Sequence, residues 1–164
     1  MVAGGAPGRE PQSRGEWDWY AMEVTKERHA CAFDRVEPQH RISALELFGT
    51  VMLMRLAAKH HANLKTNIAV TARTDSQCNS YALLKTYSRK VLAAVIHMEL
   101  AETAEVHNLC PRVSHVTRDK NTWADQLTES DMTGFLPEKR WTPNMDNKFF
   151  YVLDKLMGLR EIDV

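Results

Sequence analysis

The chain has 164 residues, 44% of them hydrophobic, enough to bury a sizeable core in one domain with appendages, which excludes a peptide or a wholly disordered tail. Lysine plus arginine equals aspartate plus glutamate at 21 each, so no global field draws it to nucleic acid or an anionic membrane, and any polyanion contact must be local. Three widely spaced cysteines, Cys31, Cys78 and Cys110, form no CxxC pair; this argues against a disulfide framework or a zinc site and for a reducing, intracellular setting, cytoplasmic or nuclear. The N-terminus has no apolar core of signal-peptide type, and runs such as Val91 to Ile96 are too short to span a bilayer.

Residues 1–15 combine four Gly with two Pro and few large apolar side chains, which predicts a disordered lead-in. From Glu16 to Val36, WDWYAMEVT and HACAFDRV alternate partially around Lys26, Glu27 and Arg28 and read as a β-hairpin ended by Glu37-Pro38. Gln39 to Lys59 carries apolar residues at Leu45, Phe48, Met52 and Leu56 with further apolar positions around them, a helix covered on more than one side. Glu46 lies inside that apolar segment, where an ionised carboxylate is costly without a partner. Arg41 or Arg55 could reach it, or it could face solvent from a helix edge.

Ile68 to Thr74 is rich in β-branched and small residues and reads as a strand ending at Asp75, where a short helix through Tyr81, Leu83 and Leu84 begins. Asp75 thus stands at a strand-to-helix junction, where open α/β sheets place ligands; Asp75 or Ser76 equally suits a helix cap. A long helix is predicted from about Tyr87 to Asn108, with Val91, Val95 and Met98 on one face and Glu99, Glu102 and Glu105 on a solvated acidic face. Pro111 closes the connection, Val113 to Thr117 reads as a strand, and Arg118 to Lys120 as a turn. Asn121 or Thr122 then caps a helix with Asp125 in its first turn, where a dipole-stabilised surface acid is common. Residues 131–145 form a loop anchored by Phe135, Leu136 and Trp141. Asp146 to Leu159 closes the chain as an amphipathic helix, within a segment of helix and tail over 146–164.

Three carboxylates therefore stand in order: Glu46 on a helix after a hairpin, Asp75 at a strand end, and Asp125 at the start of a helix after another strand. With LEL around Glu46, TDSQ at Asp75 and NTWADQLT around Asp125, the chain resembles the ribonuclease H domain attached to reverse transcriptases of retroelements, most of all retrotransposons of the tyrosine-recombinase type. The resemblance covers Glu16 to about Thr128. It implies an α/β fold over residues 16–130, a ribonuclease H-like mixed sheet flanked by helices, followed by a C-terminal helical extension. It also implies two-metal cleavage of the RNA strand of RNA:DNA hybrids, with ions roughly 3.5 to 4 Å apart. On this resemblance Glu46, Asp75 and Asp125 are catalytic ligands of Mg²⁺ or Mn²⁺, and Gln77 faces the minor groove, where 2′-hydroxyls mark RNA. Asn79, Lys85, Arg118, Lys120 and Asn121 complete the nucleic-acid contact, and a longer parent polyprotein would join the domain to a reverse transcriptase.

The family's first carboxylate comes from a central strand ahead of the hairpin, and no counterpart is found; Asp18 falls within the match to the second strand. The domain is accordingly expected to be N-terminally truncated and impaired in cleavage. The alternatives are a non-catalytic module gripping nucleic acid through Lys85, Arg89, Lys90, Arg118 and Lys120, or a non-enzymatic relic acting at most as an interaction protein. Phosphate-binding Gly-rich loops, HExxH and GxSxG are absent from the sequence, which removes the corresponding site classes.

Overall fold

A computed structural model describes residues 2–4, 18–23, 42–61, 66–77, 80, 90–144 and 149–158. The chain is a mixed α/β fold. Its centre is a strand–helix–strand unit: β3 (Ile68–Thr74), α2 (Val91–Val106) and β4 (Leu109–His115). The two strands pair in parallel from Ile68↔Leu109 to Thr74↔His115, a pairing that needs a crossover, which α2 provides. The 20-residue helix α1 (Ile42–His61) precedes this unit. Two short strands, β1 (Val2–Gly4) and β2 (Asp18–Tyr20), form an antiparallel pair of their own. Helices α3 (Thr122–Thr128) and α4 (Leu153–Gly158) follow β4. Among the described residues no helix is long and apolar enough to cross a membrane.

Alternation in β3 and β4 explains the layering. Ile68, Val70 and Ala72 turn inward with Leu109 and Val113, while Ala69, Thr71 and Arg73 lie exposed with Cys110, Arg112 and Ser114. The inward side chains meet Leu47, Val51 and Met54 of α1 and Ile96, Leu100 and Ala104 of α2 in the main core. Helix α1 is buried on several faces, as its apolar sequence predicts, with Gly49, Val51, Met52, Leu53 and Met54 all enclosed. Lys59, His60 and His61 occupy its last turn, the end that favours cations. A second, smaller cluster gathers Trp19, Ala21, Leu127 and Phe135 against half-buried Trp123.

Several expectations are corrected. Val2–Gly4 pair with Asp18–Tyr20 in the register Val2↔Tyr20 to Gly4↔Asp18, so this part of the lead-in is ordered; a backbone ladder supplies hydrogen bonds that a small-residue strand obtains without large side chains. Residues 5–15 lie outside the described residues. β2 pairs with β1, and Trp19 forms a parallel bridge with Arg140; the expected second hairpin strand, HACAFDRV over 29–36, lies outside the described residues. The described strands form two separate two-stranded sheets, not one mixed sheet. Pro111 sits inside β4 opposite Val70, and the strand runs Leu109–His115, not Val113–Thr117. Proline is tolerated there because, among the described residues, β4 pairs on one side only. Helix α2 starts after Lys90, later than predicted, and ends at Val106; Asn108, two residues on, has a φ of 52° and reverses the chain. Leu136 is exposed, so Phe135 and half-buried Trp141 do the anchoring.

Candidate functional site

Asp75 directly follows β3 and is half-buried. The Thr74 hydroxyl accepts the Ser76 N–H at 3.1 Å, and the Ser80 N–H reaches the Ser76 carbonyl at 3.1 Å, so a helical turn starts at the strand's end as the sequence predicts. The Ser80 hydroxyl donates to the Gln77 carbonyl at 2.9 Å. Val116 N–H donates to Thr74 O at 2.9 Å, which extends the ladder by one rung and keeps the exit of β4 beside Asp75. A 3₁₀ turn at Arg118–Lys120 and the cap residue Asn121 then lead into α3. Asp125 stands in the first turn of α3, half-buried, its N–H donated to the Asn121 carbonyl at 3.2 Å. Two of the three carboxylates thus belong to the segments that leave the same edge of the parallel pair.

Glu46 is half-buried near the start of α1. At 1.5 Å per residue it lies about 22 Å from the helix's C-terminal end, while Asp75 lies about 23 Å from the start of β3. Among the described residues no three His, Cys, Asp or Glu side chains form a group that could hold a metal ion. Glu46, Asp75 and Asp125 do not form such a group.

Around this edge Gln77 and Lys120 are exposed, Asn121 is half-buried and Lys90 is exposed at the start of α2. Arg118 lies in the 3₁₀ turn. Asn79, Lys85 and Arg89 lie outside the described residues.

Asp18 and Glu46 lie far apart. Asp18 Oδ2 lies 2.5 Å from His60 Nε2, and His60 belongs to the last turn of α1, about 21 Å along the helix from Glu46. Carboxylates sharing one Mg²⁺ each bind it at about 2.0–2.1 Å, so Asp18 and Glu46 cannot meet on an ion. Asp18 instead ties β2 to the end of α1.

The most elaborately held carboxylate is one the sequence reading assigned to solvent. Glu99 is 0% exposed, and its Oε1 accepts Arg55 Nη2 at 2.7 Å and Tyr151 N–H at 3.0 Å. Its Oε2 accepts the N–H groups of Val152 at 2.6 Å and Leu153 at 3.1 Å, and Thr103 Oγ1 approaches Oε1 at 3.4 Å. Burial pushes the carboxyl pKa up, but the three backbone donors and the guanidinium outweigh it and hold the group below the usual carboxylate range. The Arg55 guanidinium lies 4.2 Å from the Tyr151 ring centroid and 5.2 Å from that of Phe149. Tyr151 Oη is 3.2 Å from His107 Nε2, and burial, helped by Arg55, lowers the His107 pKa. The available signal was periodicity: Ile96, Glu99, Leu100 and Thr103 are all buried at i, i+3, i+4 and i+7, so Glu99 falls on the inward stripe.

Compared with protein-family models, curated protein sequences and solved structures, the chain has no match.

Proposed function

We propose that the chain is a ribonuclease H-like domain of retroelement origin that grips an RNA:DNA hybrid and is impaired in cleaving it. The observation that carries this reading is the parallel pairing of β3 with β4. Asp75 follows one strand, and the Lys120, Asn121 and Asp125 segment follows the other, so two of the three acids that the sequence resemblance selects leave one sheet edge in the expected chain order. Exposed Gln77 offers an amide to 2′-hydroxyls, and exposed Lys120 offers charge to phosphates. Impaired cleavage is supported by the sequence match, which offers no counterpart to the family's first carboxylate, and by Asp18, which pairs with His60 far from Glu46.

The test pairs binding with cleavage. A hybrid with labelled RNA is titrated with the purified chain at several salt concentrations without metal, then incubated with Mg²⁺ or Mn²⁺ beside Asp75→Asn. The expected result is salt-sensitive binding, with a salt slope reduced by about 1 in Lys120→Ala, and cleavage that is slight or absent and abolished by D75N. Failure to bind the hybrid at low salt overturns the reading. Robust cleavage, lost in D75N, would keep the family assignment and overturn the impairment.

A further inference from the structure

We propose that residues 149–158 form a strap that docks on the α1–α2 pair as its own cooperative unit, with the Glu99 carboxylate as its anchor. This inference is independent of the nucleic-acid reading.

Each helix contributes one stripe to the strap's seat. From α1, Phe48 and Arg55 lie seven residues apart; from α2, Glu99 and Thr103, followed by His107 just past the helix end, recur every four residues, so each set falls on one side of its helix. The strap meets these stripes residue by residue. Phe149 and Tyr151 stack on the Arg55 guanidinium. Phe150 sets its ring 5.6 Å from that of Phe48. The Tyr151 hydroxyl pairs with the His107 imidazole. The main-chain N–H groups of Tyr151, Val152 and Leu153 all end on the Glu99 carboxylate.

The strap's backbone attachment thus converges on one charge, beside a small apolar contribution. Of the strap side chains that are described, Leu153 alone is fully buried; Phe149, Phe150, Tyr151 and Val152 are half-buried, and Leu156 is exposed. The main core is built from α1, α2, β3 and β4, and from the strap it takes in Leu153, with Phe150 packed against it. Charge-assisted bonds to three consecutive backbone donors order the strap's entry into α4. When the strap leaves, Arg55 and Glu99 become hydrated together, so opening does not strand a buried unpaired ion. Segments of this kind, with few buried apolar contacts and polar attachment, open below the global unfolding free energy.

The test is hydrogen exchange on the full chain carrying Glu99→Gln, which keeps the side chain's size and removes its charge. The expected result is exchange at 151–153 faster by roughly 10- to 100-fold, the equivalent of losing one charge-assisted hydrogen bond, with amides of β3 and β4 unchanged. Unaltered strap exchange overturns the proposal, as does an equal rise across β3 and β4. Should E99Q fail to fold, Val152→Pro decides from the strap's side, since it deletes the shortest of the three donors and leaves Glu99 in place. Local loss of protection over 149–158 supports the strap; parent-like exchange throughout, or loss that spreads to β3 and β4, overturns it.

Discussion

Truncating Leu127 to alanine tests whether α3, the helix that carries Asp125, is held by the small aromatic cluster. Leu127 is completely buried, packed in a group with Trp19, Ala21 and Phe135. Trp19 is itself fixed by an indole N–H bond to the Leu136 carbonyl at 2.8 Å, by Phe135 at 5.7 Å and by Arg140 above its ring at 5.2 Å. Burying a leucine side chain contributes about 1.5–3 kcal/mol, and Leu→Ala in a core costs about 2–5 kcal/mol once the cavity is included. The cluster is small and Trp123 at its rim is only half-buried, so neighbouring groups can relax into the space. The expected loss is therefore near the lower end, about 2–3 kcal/mol. Urea unfolding followed by tryptophan fluorescence reads it as a lowered midpoint at unchanged slope. Leu136→Ala is the control: that side chain is exposed, and its loss should stay within about 0.5 kcal/mol. A Leu127→Ala loss no larger than the control's would refute the packing argument and, with it, the claim that the cluster positions Asp125.

Three further outcomes follow from the titrating groups. Burial lowers the pKa of His97, and burial together with Arg55 lowers that of His107. The unfolded chain therefore takes up protons first, and stability should fall as pH drops through about 6.5 and on past the folded-state values; urea midpoints between about pH 7.5 and 5 should show this, with a shallower fall in His107→Gln. Tyr20 is pushed up to about 12 by burial, partly opposed by Arg140. Its contribution is intact below about pH 10 and lost as pH rises from there toward about 12, and ultraviolet titration should show one phenol ionising well above the ordinary tyrosine value of about 10. The Asp18–His60 pair is partly exposed on both sides, so a double-mutant cycle with Asp18→Asn and His60→Gln should give a coupling below about 1 kcal/mol; a coupling above about 2 kcal/mol would show a contact better shielded than its exposure indicates.

The central unit was legible because two kinds of local signal agree there. Ile68 to Thr74 is β-branched and alternating, the α2 region has helical periodicity, and both map onto observed elements. The strand-end position of Asp75 and the helical position of Asp125 were legible for the same reason. Boundaries and partners were not. Pro111 read as punctuation because proline removes a donor, yet an N–H is dispensable on the unpaired side of a strand. The pairing of β2 with Val2–Gly4 rests on backbone hydrogen bonds between segments separated in sequence, and neither a hydrophobic pattern nor a turn motif announces it. The closing helix was drawn from Asp146, whereas α4 begins at Leu153, directly after the backbone donors of Tyr151 and Val152 are taken up by Glu99. That contact spans more than fifty residues of sequence and leaves no local trace.

The acids show how a sound physical rule can be attached to the wrong residue. An ionised carboxylate inside an apolar segment needs a partner, and that rule singled out Glu46 with Arg55 as one possible reply. Arg55 does answer a carboxylate, but the one it reaches is Glu99, on a helix whose acids at 99, 102 and 105 looked like a single solvated face. Counting from Ile96 separates them: Glu99 shares the buried stripe with Leu100 and Thr103, while Glu102 and Glu105 are exposed. A fully buried charge is destabilising until its lone pairs are satisfied, and here five groups from α1, α2 and the strap converge on Glu99. The desolvation cost of Glu99 is thus offset at a structural junction, while Glu46, Asp75 and Asp125 stay half-buried.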